Sequence, residues 1–158
     1  MHTCKKITLF HGTSFEYLDS ILEKGLLPWN FLGRHNWYDD CDMTGFYTPK
    51  RDCVYLAKFP RAKIYSESIG GREGVILQVH CPVNNLEGDE DSNRKDWESS
   101  LSSTGTCAYR GVLPAESIKR VIDLNGTILF NDYNRLSGLT AIGASPPCQV
   151  NLGRIRIG

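Results

Sequence analysis

Apolar residues in this chain come in short runs whose spacing switches between strand-like alternation and helix-like turns. Residues 6–10, Lys-Ile-Thr-Leu-Phe, read as a short strand that runs into His11-Gly12-Thr13 and then a helix. Thr13 and Glu16 have the spacing of a capping box. Phe15, Leu18, Ile21 and Leu22 make one apolar helix face, with Gly25 as the stop and Pro28 beyond it. Residues 53–57 predict a second strand. Pro60 suits the first position of a helix running to about Ser68, with Ala62 and Tyr65 on one side and Gly70-Gly71 at its end. Residues 75–80 alternate as a third strand. The polar stretch 84–103 predicts a loop with a helical turn over about 95–101. Residues 107–112 and 118–124 predict two more strands. The pair Asn125-Gly126 is a hairpin signal before a last strand at 127–130. Strands and helices mix without regular alternation, so the class is α+β.

Two segments lack strong periodicity. Residues 29–51 form a long connection rich in aromatics, with Asp39, Asp40 and Asp42; connections of that length are often functional. From Asn131 the chain is rich in glycine and proline, and residues 153–157 suggest only a closing edge strand. The expected organisation is one domain over 1–158, with a core of about 6–130 and an extension over 131–158.

Composition narrows the classes. The chain has 158 residues, 41% of them hydrophobic, enough for one domain with a real core. Lysine and arginine number 18, as do aspartate and glutamate, so the net charge is zero. That balance disfavours a protein held on nucleic acid by bulk charge, and it disfavours disorder. No apolar run approaches the ~18 residues of a membrane span. Residues 7–10 are too short for a signal-peptide core, so a cytoplasmic protein is expected. There are six cysteines but no Cys-x-x-Cys. His80 and Cys81 are adjacent, so they point to opposite sides of a strand. Reduced thiols and no metal are the expectation.

Four features carry candidate chemistry. His11-Gly12-Thr13 sits at a strand end before a helix, where glycine admits a ligand to the backbone and helix N–H groups are free. Its bland reading is a capped strand-to-helix turn. Tyr55 is a packing residue or a ring face for a flat cation. The run Leu86-Glu87-Gly88-Asp89-Glu90-Asp91-Ser92-Asn93 is a solvated acidic loop or a source of one catalytic carboxylate. It is not an EF-hand, because Arg94 and Ser100 stand where that loop needs glycine and glutamate. Arg110, in Thr106-Cys107-Ala108-Tyr109-Arg110-Gly111, is a phosphate contact or an exposed charge on a strand.

Taken in order, these motifs resemble the ADP-ribosyltransferase superfamily, in its His-Tyr-acid, diphtheria-toxin-like branch. Leu9-Phe10-His11-Gly12-Thr13 with Ile21-Leu22-Glu23-Lys24-Gly25-Leu26 looks like that superfamily's first strand and helix. Val54-Tyr55-Leu56-Ala57, with Ala62 and Tyr65 after it, looks like its second motif. Leu86-Glu87-Gly88-Asp89 is similar to the acid-bearing loop of rifampicin ADP-ribosyltransferases, and residues 106–111 to their Ser-Tyr-Arg strand. The likeness covers about residues 6–124 and leaves the tail from Asn131 outside.

The resemblance implies split antiparallel β-sheets with flanking helices and an NAD cleft between them. It implies that His11 bonds the adenosine ribose, the Gly12 backbone holds the nicotinamide carboxamide, and Tyr55 stacks on nicotinamide. Asp89 would support the developing cation, with Glu87 and Asp91 as rivals. Thr13, Tyr65 and Arg110 would also contact NAD. Gly88 departs from the rifampicin enzymes, which have a second acid there. The RNA 2′-phosphotransferases share the His-Gly-Thr, but their amino-terminal winged-helix region has no counterpart here. No Gly-x-Gly-x-x-Gly is present, so NAD would not bind in the Rossmann manner.

The resemblance thus implies a mono-ADP-ribosyltransferase using NAD as co-substrate. An NAD glycohydrolase, an RNA 2′-phosphotransferase and a non-enzymatic interaction module on the same fold stay open. So do the acceptor (protein, nucleic acid or small molecule) and the setting (toxin, anti-defence effector or antibiotic-modifying enzyme). Trp37 and Tyr38, in the long connection, are candidates to recognise that acceptor by stacking or anchoring. With acids clustered after residue 86 and Arg110, Lys119 and Arg120 further on, zero net charge is compatible with a locally charged cleft.

Overall fold

The strands predicted from alternation pair into one antiparallel sheet whose middle is a fork. A computed structural model describes residues 3–32 and 52–132. Seven strands, β1 (Lys6–Ser14), β2 (Cys53–Ala57), β3 (Gly74–Pro82), β4 (Leu86–Gly88), β5 (Thr106–Arg110), β6 (Ile118–Asp123) and β7 (Ile128–Asn131), lie in the order β4-β5-β2-β1-β3-β6-β7. β1 pairs with β3 along its whole length, from Lys6 opposite Pro82 to Ser14 opposite Gly74. Against β2 it pairs only at Phe10 and Ala57. The sheet is therefore two well-knit blocks, β4-β5-β2 and β1-β3-β6-β7, joined at one residue pair.

Alternation sends side chains to two faces. One face carries the large core: Leu9, Val54, Leu56, Val75, Leu77, Val79, Tyr109 and Val121, covered by Leu18, Leu26 and Leu101. Each fully buried aliphatic side chain there stabilises by about 1.5–3 kcal/mol. The other face carries a small cluster of Ala57, Ala62 and Ile76, edged by Phe10 and Ile122.

Helix α1 (Leu18–Lys24) ends at Gly25, as expected, with φ at 87° and its N–H on Ile21 O. α2 (Trp29–Leu32) follows. α3 (Phe59–Gly70) begins one residue before Pro60, because Lys58 takes the cap position. Its buried residues are Ala62 and Ser66, while Tyr65 is half-buried. Small side chains on this face let the helix backbone come down onto the sheet. At Gly12 a Cβ would stand 2.1 Å from Ala62 O, and at Gly74 it would stand 2.5 Å from Ser66 O.

Two local expectations give way to the ladder, and a third is met. The Thr13–Glu16 capping box does not form: the chain stays extended to Ser14, because Thr13 and Ser14 pair with Val75 and Gly74. Ser14 then precedes a 3₁₀ turn, Phe15–Tyr17, with no side-chain cap bond. The polar stretch 84–103 holds β4, whose three residues pair with Tyr109, Ala108 and Cys107. It also holds α4 (Trp97–Thr104), capped by Asp96 Oδ2 accepting from Ser99 N at 2.8 Å. The Asn125-Gly126 hairpin forms, and Asp123 Oδ1 accepts from the Asn125 and Thr127 N–H groups. Trp37, Tyr38, the aspartates at 39, 40 and 42, and residues 153–157 lie outside the described residues.

Gly12→Ala drives a methyl group into the α3 backbone and should cost at least about 1–3 kcal/mol. Urea unfolding of the purified protein measures this. An unchanged midpoint would mean that α3 does not rest on β1.

Candidate functional site

The fork between β1 and β2 is where His11 meets Tyr55. Past Phe10, β1 no longer pairs with β2, so the strands' facing edges lose their mutual hydrogen bonds. His11 fills part of that gap. Its Nδ1 lies 2.8 Å from the Tyr55 backbone oxygen. A carbonyl only accepts, so Nδ1 carries the proton. Burial lowers the His11 pKa, against a smaller opposing effect of the Tyr55 bond. The ring is therefore neutral at physiological pH, and its Nε2 is a bare acceptor.

Tyr55 stands in β2 opposite Ala108. Its hydroxyl donates a short hydrogen bond to Glu90 Oε1. Glu90 opens a 3₁₀ turn, Glu90–Ser92, directly after β4. Burial raises the Glu90 pKa first of all; the Tyr55 bond lowers it, and the Asp89 and Asp91 charges raise it further. Its second oxygen, Oε2, is buried and has no hydrogen-bond partner among the described residues. A buried carboxylate oxygen without a partner is uncommon, and it makes Glu90 the acid of this run that calls for an explanation.

Asp89 has a different task. It is buried, and its Oδ1 accepts from Asp91 N at 3.1 Å, the geometry of a turn cap. Its carbonyl accepts from Ser92 Oγ at 2.6 Å, and its N–H donates to Ser100 Oγ at 2.9 Å. Ser100 Oγ in turn donates to Thr106 O at 2.7 Å, which ties the turn to β5. Asp89 thus holds the turn that presents Glu90. Asp89 and Asp91 lie close enough to Tyr65 for their charges, after burial, to raise its pKa.

The structure joins the Tyr55 side chain to Glu90 and sets Asp89 and Asp91 near Glu90 and Tyr65, while His11 meets Tyr55 at its backbone oxygen. Gly12 is buried under α3, and Thr13 is buried beside it in β1. Glu87 and Arg110 belong to another group. The exposed Arg110 guanidinium holds Glu87 with Nη2, at 2.8 Å to Oε2 and 2.9 Å to Oε1, and holds Asp52 with Nη1. It is already matched by two carboxylates.

The sequence reading does not single out Glu90, because its acid comes from the resemblance, which points to Asp89 with Glu87 and Asp91 as rivals. The chain leaves the strand at Gly88, and the turn swings the intervening residue toward β2. The local signal for the turn was Asp89 with Ser92 three positions on, a turn-capping pattern.

Four of the six cysteines fall among the described residues. Cys53, Cys81 and Cys107 are buried free thiols and Cys4 is an exposed one. Burial, then the Glu87 and Asp52 charges, push Cys53 up to about 12. Among the described residues no three His, Cys, Asp or Glu side chains are grouped to hold a metal. No described helix is long and apolar enough to cross a membrane. No protein-family model matches the sequence, and no curated protein is significantly similar to it.

A carboxyl with a raised folded pKa binds its proton more tightly when folded, so its ionisation costs stability above the unfolded pKa. Glu90→Gln removes that cost. Its melting temperature should exceed the wild-type value at neutral pH, and the gap should close as the pH falls through the usual carboxylate range. A variant that melts lower at every pH would mean that Glu90 is a stabilising ion rather than a desolvated one.

Proposed function

We propose that this chain is an NAD-dependent mono-ADP-ribosyltransferase, with Glu90 rather than Asp89 as the acid that faces the reacting ribose. The observation that carries the reading is the linked set of His11, Tyr55 and Glu90 across the fork. A split between two antiparallel blocks is what an NAD cleft of this superfamily would require, and the motif order along the chain agrees with it.

The chemistry follows from the groups present. The bond from the ribose C1 to the nicotinamide nitrogen breaks, and the electron pair leaves with nicotinamide. Positive charge develops on the ribose as in glycoside cleavage. The Glu90 carboxylate, in a partly desolvated setting, supplies the negative partner for that charge. The neutral His11 ring offers Nε2 to a ribose hydroxyl. The Tyr55 ring, held at its hydroxyl by Glu90, offers a face to the pyridinium. The acceptor's nucleophile then attacks C1 to form the new glycosidic bond and gives up its proton to water. Arg110, engaged with Glu87 and Asp52, is left out of the phosphate site in this reading.

Incubation with labelled NAD and a cell lysate tests the proposal, by released nicotinamide and by label on protein, nucleic acid or small molecules. Glu90→Gln should lower turnover about 10²–10³-fold in a folded protein, the scale of losing one electrostatic stabiliser. Asp89→Asn should act mainly through stability, and Arg110→Ala should leave the KM for NAD unchanged. Free ADP-ribose without a labelled acceptor would indicate a glycohydrolase. A wild-type protein that releases no nicotinamide, or a fully active Glu90→Gln beside a dead Glu87→Ala, overturns the reading.

A further inference from the structure

A second concave site lies on the sheet face that carries α3. It is a groove of about 340 Å³ lined by Phe10, Phe59, Ile76, Gln78, Arg120 and Ile122, with Gly126 and Ile128 at its edge. It shares no residue with the His11–Tyr55–Glu90 group. Strand register explains how these residues meet. Phe10, Gln78 and Arg120 stand side by side across β1, β3 and β6, and Ile76, Ile122 and Ile128 form the next row across β3, β6 and β7. The ladder shifts register between Gln78 and Val79 and again between Val121 and Ile122. Such bulges bend a strand and re-aim its side chains, and they gather beside binding sites. The Phe10 and Phe59 rings meet edge to face at 5.3 Å and make an aromatic corner. Phe59 and Ile128 remain 38% and 47% exposed, so this apolar surface is open to a ligand.

The polar groups of the groove are uncommitted. Neither the Gln78 nor the Arg120 side chain makes a hydrogen bond or ion pair among the described residues. Nearby acids are engaged elsewhere: Asp123 with the hairpin N–H groups and Asp132 with Lys119 at 2.9 Å. Lys119 is the unpaired residue of the first bulge and is already matched by Asp132. The groove therefore offers one guanidinium and one amide above an apolar floor with an aromatic wall. Its size falls at the lower end of the ~300–1,000 Å³ typical of small-molecule sites.

We infer that this groove binds a small organic acid, an apolar or aromatic body carrying a single carboxylate. The guanidinium fork takes the carboxylate in two parallel bonds, Gln78 donates from the side, and the body lies on Ile76 and Ile122 against the Phe10–Phe59 corner. A phosphate monoester, mostly dianionic at neutral pH, would leave part of its charge unmatched because no second cation faces the groove among the described residues.

The probes are 3-phenylpropanoate, indole-3-acetate and 4-methylpentanoate, with methyl 3-phenylpropanoate and phenyl phosphate as contrasts. Affinity is read by calorimetry, and the site by amide shifts in a ¹⁵N-labelled sample. At least one acid should bind and move the amides of Phe10, Gln78 and Ile122. The methyl ester should bind roughly tenfold or more weakly, the scale of a charge-assisted bidentate contact. Arg120→Gln, checked for an unchanged fold by its amide spectrum, should remove that difference. Phe59→Ala should weaken acid and ester alike. Three outcomes overturn the inference: no acid binds, acid and ester bind equally, or phenyl phosphate binds best. Shifts centred on His11, Tyr55 and Glu90 do so as well. The readout is binding without turnover, so its failure is distinguishable from failure of the transferase reading.

Discussion

The hydrogen bond from the His11 imidazole to the Tyr55 carbonyl spans the weakest seam of the sheet. β1 and β2 pair at one position only, Phe10 with Ala57. Beyond it the ladder stops, and a half-buried carbonyl left without a donor would cost about 1–3 kcal/mol. The Nδ1–H group supplies that donor at 2.8 Å. One bond thus ties the two strand blocks together without closing the gap between them. It also fixes the tautomer, so the same ring that completes the backbone accounting turns an acceptor nitrogen outward. Gly12, the next residue, lets α3 lie directly on β1 and bring Tyr65 toward the fork. Scaffold and candidate site are inseparable along these residues of β1.

The acidic run divides its labour by geometry. Asp89 is spent on holding a turn, through Asp91, Ser92 and Ser100. Glu87 neutralises Arg110 at the exposed end of the strand pair. Glu90 is left with a buried oxygen and a tyrosine hydroxyl, and its burial opposes its charge. Carboxylates this close in sequence would look interchangeable by composition. Burial and partner choice separate them, which is the usual way neighbouring acids acquire different roles.

What was legible in the sequence was local. The bounds of β2, the Gly25 stop, the Asn125-Gly126 hairpin and the approximate span of α3 each rest on a handful of adjacent residues. Where neighbours in space disagreed with neighbours in sequence, space won. The Thr13–Glu16 cap lost to ladder pairing with Val75 and Gly74. β4 has only Leu86, Glu87 and Gly88, too short and too polar to show an alternating pattern, and pairing with β5 makes it a strand. The site was half legible: His11, Tyr55 and the acidic run were visible as chemistry, while Glu90 depended on how the chain turns after Gly88.

By itself the sequence determined the periods of the elements, the α+β class and the placing of a tyrosine within the second strand; the histidine expected at a strand end lies inside β1, which pairs on to Ser14. Those follow from local sterics and side-chain alternation, which act over a few residues. The tertiary structure alone decided the strand order, the fork, the partners of Arg110 and the acid that meets Tyr55. Tyr55 and Glu90 are 35 residues apart in the chain. No local propensity measures that separation; the pairing of β2 with β5 and of β5 with β4 closes it, and burial then sets the protonation of whatever has been brought together.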